Sequence, residues 1–362
     1  MSTSRLSRLQ LSSLSTALLV SCFTVMATGV QAQNPSPVKV ALPMTKTVSL
    51  QSLLEEMTDV EALAKWPLPA YTNREVSSYD RRTVAPNQPG WWANDDFTKF
   101  IRDEEHAGRK ERVMLDVDGP GALVRFWLTA GRPKNGNLRI YLDGNEEPAL
   151  VFNKFDLEAG PLHSLSTLLY SHASHSADAG GNTLYLPIPY AKHCKVTWEE
   201  GETPSQRYYQ INYRTYPAGT VVQTWTPQQH RQAEALIART SQALGAPAQV
   251  AAGKNSSLNQ QLVPNKPVNL DLPAGPAAVR TLELLLDAGE IAPAEKERAL
   301  RSVIVQLTFD GQKTAWCPAT DFFGSGVGIN ELRNFYQSVS SDGTMRCRWV
   351  MPYQKSARVT LV

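Results

Sequence analysis

The sequence predicts a mainly β protein made of two tandem β-sandwich or jelly-roll domains, with a helical arm before the first and a helix between them. Two observations carry this. Landmarks recur in the same order: DGPGALVRFWL (Asp118–Leu128) is answered by AGPAAVRTLELLL (Ala274–Leu286), LRIYLDG (Leu138–Gly144) by VIVQLTFDG (Val303–Gly311), and LPIPYAKHCKVT (Leu186–Thr197) by VMPYQKSARVTL (Val350–Leu361). A repeat of roughly 100 to 150 residues is domain-sized, too long for a solenoid unit or a propeller blade, so it signals duplication of a whole domain. The second observation is strand-like alternation in VMLDVDG, LVRFWLTA, LRIYLDG, TLYLPIPY, KVTWEE and YYQINYRTY, punctuated by Gly, Pro and Asp. Many short strands joined by long polar loops describe a sandwich or jelly roll and not a parallel sheet.

The elements follow in order. Arg5 and Arg8, an apolar run over Leu14–Met26 and the small-x-small site Val30-Gln31-Ala32 read as a secretory signal peptide, residues 1–32. A competing pattern, Leu19-Val20-Ser21-Cys22, would place a lipid anchor at Cys22. No other stretch approaches the ~20 apolar residues of a membrane-spanning helix. The expected location is therefore periplasmic or extracellular. Residues 33–70 hold a Pro-rich segment and a helical arm, Ser49–Pro67, with apolar spacing at Leu50, Leu53, Leu54 and Met57. Residues 71–217 form the first jelly roll. Residues 218–259 comprise a helix and a linker. In the helix Thr226 offers the N-cap oxygen, Pro227 suits the first helical position, Ala233, Leu236, Ile237, Thr240 and Leu244 share one face, and Gly245 ends it. The small, polar stretch Ala246–Asn259 is the linker. Residues 260–362 form the second jelly roll, interrupted by a charged helical piece, PAEKERALRS (Pro293–Ser302). The closing SARVTLV leaves a strand without a turn or a sheet neighbour, so this roll reads as C-terminally incomplete and the chain as the front of a longer protein.

Composition narrows the partners. The formal net charge of +2 resides in Arg5 and Arg8, so the processed chain is neutral. A neutral chain without basic runs is a poor ligand for nucleic acid or anionic lipid, and an uncharged partner is expected. Of four cysteines, Cys22 leaves with the signal; Cys194 reads as a buried thiol, and Cys317 and Cys347, in one repeat, could pair in an oxidising compartment.

Two loop clusters carry candidate chemistry. SSYDRR (Ser77–Arg82) followed by WWANDDF (Trp91–Phe97) brings aromatic, carboxylate, amide and guanidinium groups close in sequence, the set that holds a polyol: hydrogen bonds to hydroxyls and a flat ring under the apolar C–H face. The competing interpretation is a structural turn in which Asp80 pairs with Arg81 or Arg82. The second cluster, DFFGSGVGIN (Asp321–Asn330), is glycine-rich with paired aromatics, but lacks the lysine and the strand-to-helix context of a phosphate loop. His163, His172 and His175 lack a completing ligand set, so a solvated loop is expected, with neither metal nor cofactor. G-x-S-x-G, H-E-x-x-H and dinucleotide fingerprints are absent.

At these residues the sequence resembles glycoside hydrolase family 172. SSYDR, NDD, DVDGPGALVRFW, RIYLDG, LPIPYAK, DFFGSG and MPY-x-KSA occur in order across about residues 50–362. The resemblance implies a tandem jelly roll, assembly as a homotrimer or multiples of trimers, a glycan partner, and retaining hydrolysis of α-fructofuranosyl or α-arabinofuranosyl linkages. Retention needs a nucleophile and an acid/base carboxyl about 5 to 5.5 Å apart. The family's catalytic glutamates lie in motifs of the G-E-G-D-E and G-T-E-D-Y type, and this chain contains neither. Glu104, Glu105, Glu199, Glu200 and Glu202 lie outside any such motif. The carry-over is confined to substrate binding: Tyr79, Asp80, Arg81, Asn94 and Asp95 match one site motif, and Asp321, Phe322 and Phe323 a second. The chain is therefore expected to be a secreted furanosidase lacking its catalytic segment. The other function class open to it is a non-catalytic carbohydrate-binding or structural jelly-roll trimer.

Overall fold

The computed structural model describes residues 18–29, 46–97, 99–130, 136–153, 162, 168–171, 181–202 and 206–362. Most of the expected signal peptide, its cleavage site, the Pro-rich stretch up to residue 45, and His163, His172 and His175 lie outside them. The chain divides into two compact units, Pro35–Ala248 and Gln249–Val362 with Met1–Asn34. The first described strand, β1 (Leu18–Gly29), belongs to the second unit.

The N-terminal unit opens with α1 (Leu50–Met57), started by a capping box in which Ser49 and Ser52 exchange side chain and backbone. The arm does not run on as one helix to Pro67. Asp59 accepts the Glu61 N–H and begins a separate 3-10 turn, Val60–Ala64. Then come β2 (Thr72–Ser77), β3 (Arg102–His106), β4 (Arg109–Asp118), β5 (Gly121–Ala130), β6 (Asn137–Leu142), β7 (Leu150–Asn153), β8 (Leu169–Ser171), β9 (Asn182–Leu184), β10 (Ile188–Tyr190), β11 (His193–Glu199), β12 (Arg207–Thr215) and α2 (Pro227–Leu244). They form two antiparallel sheets, β3-β4-β11-β6-β7 and β2-β12-β5-β9-β8, with β10 added to β5. Alternation sends Leu115, Ile140, Val196 and Trp198 from the first sheet and Phe126, Leu128, Tyr209 and Ile211 from the second into one core, joined by Leu50 and Leu54 of α1 and Ile237 of α2. Each such side chain, fully buried, contributes about 1.5–3 kcal/mol of transfer free energy. The α2 caps are those the sequence marks, Thr226 accepting the Gln229 N–H and Gly245 closing the helix.

The C-terminal unit contains β13 (Lys254–Leu262), β14 (Val268–Asp271), β15 (Ala277–Asp287), α3 (Pro293–Ser302), β16 (Ile304–Phe309), β17 (Gln312–Pro318), α4 (Ala319–Phe322), β18 (Leu332–Arg333), β19 (Gln337–Val339), β20 (Met345–Cys347), β21 (Met351–Tyr353) and β22 (Ala357–Leu361). One sheet runs β13-β1-β15-β20-β19-β18, with β21 on β15; the other runs β14-β22-β16-β17. Leu282, Leu284, Leu286, Val305, Leu307, Val359 and Leu361 share their core. The molecule is thus mainly β, two β-sandwiches of jelly-roll type.

Three features of the structure depart from or add to the sequence expectation. The linker is shorter than Ala246–Asn259, because KNSSLNQQL is β13; it is mostly polar because most of its side chains face out, so hydropathy hides it. RDEEH is β3, a solvent-facing strand held by cross-strand ion pairs such as Lys110 with Asp103 at 2.8 Å. The strand within SARVTLV is no bare edge, since β22 pairs with β14 on one side and β16 on the other.

Candidate functional site

The segment that leaves β2 is irregular from residue 78 to 97, and one buried carboxylate fixes its shape. Ser78 anchors its start on β12: its N–H donates to the Tyr209 carbonyl at 3.1 Å and its Oγ accepts the Tyr209 N–H at 3.3 Å. The Asp80 side chain is 1 % exposed. A buried carboxylate stays ionised only if its lone pairs are used, and these are: Oδ1 accepts the Arg82 backbone N–H at 3.1 Å and its Nε at 3.0 Å, while Oδ2 accepts the Arg82 Nη2 at 2.5 Å and the Asp95 N–H at 3.1 Å. The Arg82 guanidinium, against the opposing effect of burial and helped by the two backbone N–H groups, holds the Asp80 carboxyl far below the usual carboxylate range. Arg82 continues to Asp95 Oδ2 at 3.3 Å, and Lys99 Nζ reaches the same oxygen at 3.0 Å. Asp80, Arg82, Asp95 and Lys99 therefore make a chain of alternating charge that pins both ends of the segment together.

Of the two consecutive arginines, Arg82 makes the pair. Arg81 points elsewhere, its Nη2 donating to the Ser77 carbonyl at 3.1 Å and its guanidinium lying 5.1 Å from the centre of the Tyr79 ring. The signal for Arg82 was present in the sequence: an Asx turn joins an aspartate to the N–H two residues on, not to the next. Around this frame Tyr79, Trp91, Trp92 and Phe97 are exposed, Trp92 at 71 %, and Trp91 meets Trp92 edge to face at 5.4 Å. Asn94 is exposed beside them. Exposed flat rings, guanidinium groups and an amide on a pinned loop can stack on a ring's C–H face and bond its hydroxyls.

Asp321, Phe322 and Phe323 lie in the C-terminal unit. Asp321 forms a two-pronged pair with Arg301 of α3, one bond running from Nη1 to Oδ1 and the other from Nη2 to Oδ2 at 3.0 Å. Phe323 is 0 % exposed and Phe322 packs edge to face on Phe323 and Trp349, so both rings are core. The glycine-rich run after them satisfies itself: Asn330 Nδ2 donates to the carbonyls of Ser325 and Val327, both at 2.7 Å. Val327 is its exposed apolar residue.

A second buried carboxylate escaped the sequence analysis. Glu111 accepts from the Tyr141 hydroxyl at 2.8 and 2.9 Å, from Thr197 Oγ1 at 2.6 Å and from Arg109 Nε at 3.2 Å. Burial first, then Glu111, pushes the Tyr141 phenol up to about 12. With both oxygens engaged inside a sheet, Glu111 is a structural tie. Glu104 and Glu199 are likewise engaged, with Lys195 at 2.9 Å and Arg139 at 2.6 Å. Cys194, Cys317 and Cys347 are free thiols, so Cys317 and Cys347 are not joined. Among the described residues no cluster of His, Cys, Asp or Glu is placed to hold a metal, and no helix is long and apolar enough to cross a membrane.

Two sequence matches decide the kinship. The first β-sandwich domain of glycoside hydrolase family 172 matches residues 69–233, and a second domain type of that family, described as domain-like, matches residues 255–362. This chain belongs to glycoside hydrolase family 172. The two matches coincide with the two sandwiches, and the second begins at β13, within the stretch the sequence reads as linker. A search of curated proteins returns no match. Membership makes this a chain of a carbohydrate-active family, with a glycan as the expected partner class.

Proposed function

We propose that this chain is the sugar-gripping part of an exported, retaining furanosidase acting on α-fructofuranosyl or α-arabinofuranosyl glycosides, with its two reacting carboxyls on a segment outside residues 1–362. The observation that supports it most is the pinned loop of Tyr79–Phe97, in which Asp80 fixes Arg82 and Asp95 while Tyr79, Trp91 and Trp92 stand free. Asp80 acts from beneath, as the residue that positions Arg82. Arg82, Asn94 and Asp95 supply bonds to sugar hydroxyls, and the exposed rings supply the stacking face. Asp321 is paired with Arg301, and Phe322 and Phe323 are core, so the proposed sugar-gripping surface is confined to the loop Tyr79–Phe97. Cleavage needs a nucleophile and a proton donor. Among the described glutamates, Glu104, Glu111 and Glu199 are committed to partners. Removal of residues 1–32 accompanies export, and the exported protein assembles as a trimer or a multiple of it.

The test is ligand-observed NMR of the 33–362 chain with α-fructofuranosides, α-arabinofuranosides and a pyranoside control. Saturation transfer to the furanosides that is lost in Trp92→Ala, without turnover, is the expected result. Turnover by this chain would overturn the placement of the catalytic carboxyls, and equal transfer to pyranosides would overturn the substrate class.

A further inference from the structure

The sheet β14-β22-β16-β17 sends Val305, Leu307, Val359 and Leu361 into the core of its sandwich. The alternate residues face away from the core, and register sets them in rows across the strands. Asn269 of β14 pairs with Thr360 of β22, Thr360 with Gln306 of β16, and Gln306 with Trp316 of β17. With strands about 4.8 Å apart, this uncharged row of amide, hydroxyl, amide and indole spans roughly 14 Å. A second row runs Asp271, Arg358, Thr308 and Lys313. Its central charges cancel in a two-pronged pair, Arg358 Nε donating to Asp271 Oδ1 at 2.6 Å and Nη2 to Oδ2 at 3.1 Å.

The other sandwich closes the corresponding face. Gln306 and Thr308 stand as far before Asp310-Gly311 as Arg139 and Tyr141 stand before Asp143-Gly144, and RVT (Arg358–Thr360) answers KVT (Lys195–Thr197). Trp316 pairs with Gln306 as Val151 pairs with Arg139. In the N-terminal unit Arg139, Tyr141 and Thr197 are buried, with Glu111 accepting from both hydroxyls and Glu199 holding Arg139. In the C-terminal unit the equivalent Gln306, Thr308, Arg358 and Thr360 line a cleft of about 490 Å³, together with Asn269 and Asp271. Thr360 is its floor, orienting Asn269 by donating to Oδ1 at 2.8 Å. Trp316, across from Gln306, is 61 % exposed.

We propose that this outer sheet face is a glycan-binding surface separate from the loop Tyr79–Phe97, taking a neutral polysaccharide laid across the strands from Asn269 to Trp316. The two amides donate to and accept from sugar hydroxyls, and the indole offers a flat ring to a C–H face. The first row holds no charge to select an ionic ligand. A second copy of the chain fits the face less well, because the centre of a stable copy-to-copy interface is more apolar than ordinary surface, and here one ring stands among amides and hydroxyls. The assignment rests on the carbohydrate class of the family and not on where the catalytic carboxyls lie.

Affinity electrophoresis of the full 1–362 chain in native gels containing arabinan, inulin or polygalacturonate tests it. The expected result is retardation by a neutral polymer and not by polygalacturonate. Trp316→Ala and Gln306→Ala, each made in a Trp92→Ala background to silence the loop, should weaken that retardation roughly tenfold while keeping the urea midpoint of the parent. Retardation unchanged by both substitutions, or absent with every neutral polymer, would overturn the proposal. Equal retardation by polygalacturonate would overturn the neutral ligand class, and an oligomer that dissociates in Trp316→Ala by light scattering would give the face to a second copy of the chain. Retardation lost in Trp316→Ala but untouched by Trp92→Ala would defeat the loop reading while leaving this surface standing.

Discussion

The two sandwiches solve one construction problem with the same residues. In the N-terminal unit Asp143 sits at a positive φ ahead of Gly144, its N–H donates to the His193 carbonyl at 2.7 Å, and its Oδ1 accepts the Lys192 N–H at 2.7 Å. In the C-terminal unit Asp310 sits likewise ahead of Gly311, its N–H donates to the Ser356 carbonyl at 2.8 Å, and its Oδ1 accepts the Lys355 N–H at 2.6 Å. Pro189 pairs with Ala122 and Pro352 with Ala278, each on a short strand laid on the edge of the long repeat strand, where a missing N–H is tolerated. The difference lies in the remaining carboxylate oxygen. Asp143 Oδ2 accepts the Thr224 hydroxyl from the segment leading to α2, whereas Asp310 Oδ2 takes the Gln354 N–H at 2.9 Å. Asp143 ties its turn to a third segment as well, whereas Asp310 is spent wholly on the facing loop Gln354–Ser356 between β21 and β22. The two sandwiches thus share the turn geometry and differ in where the second carboxylate oxygen is used.

The largest expected effect lies in the core of the C-terminal unit. Phe323→Ala removes a fully buried ring and is expected to cost about 3–5 kcal/mol. Urea unfolding followed by tryptophan emission would measure it. A cost below about 1 kcal/mol would mean that the ring is not a core element and return Phe323 to the sugar-facing surface.

A more symmetric test uses Gly119 and Gly275, which precede the equivalent prolines. A Cβ on Gly275 would lie 2.7 Å from the Gln354 carbonyl oxygen, and one on Gly119 3.0 Å from the Lys192 carbonyl carbon. Backbone cannot swing away as a side chain can. Gly275→Ala should therefore destabilise by about 1–3 kcal/mol, and Gly119→Ala by less. A reversed order would show that the N-terminal unit is the less forgiving copy.

What the sequence disclosed follows the same division. The repeat, the Asp-Gly turns and the α2 caps were legible because each depends on local backbone chemistry that a few residue types satisfy. β13 and β3 were not, since a solvent-facing strand writes polar residues where hydropathy expects a linker or a charged run. Tyr79, Asp80 and Asp95 were legible as a cluster, but that Arg82 rather than Arg81 completes it required the turn geometry. Phe322 and Phe323 were misleading for the opposite reason: paired aromatics in a glycine-rich loop look like a binding platform, and only packing against Trp349 reveals their place in the interior.

Asp310 gives the comparison a pH coordinate. Its carboxyl is held below the ordinary aspartate value by backbone N–H groups of Gln354, Ser356 and Lys355, in that order. A depressed native pKa stabilises fully above the unfolded value of about 3.9, and that contribution disappears as pH falls through the lower native one. Asp310→Asn should therefore lower the urea midpoint at neutral pH, and its curve should converge with that of the parent chain in strong acid. A constant offset across the whole range would show that the amide disturbs the turn rather than removing a charge.

The smallest stability effect belongs to the residue with the most to lose in binding. Trp92 is largely exposed, touches Trp91 edge to face, and does not belong to the buried core clusters. Trp92→Ala should leave the midpoint within about 0.5 kcal/mol of the parent. Stacking on a sugar face depends on the flat ring itself, so furanoside contact should fall while the frame of Asp80, Arg82 and Asp95 stays intact. Asp80→Asn has the opposite profile, because it removes the charge that holds Arg82 and lets the loop Tyr79–Phe97 loosen. Hydrogen exchange at the Asp95 N–H should then quicken in Asp80→Asn and not in Trp92→Ala. If both variants loosened the loop equally, Trp92 would be part of the frame, and the division between residues that fix the surface and residues that use it would not hold.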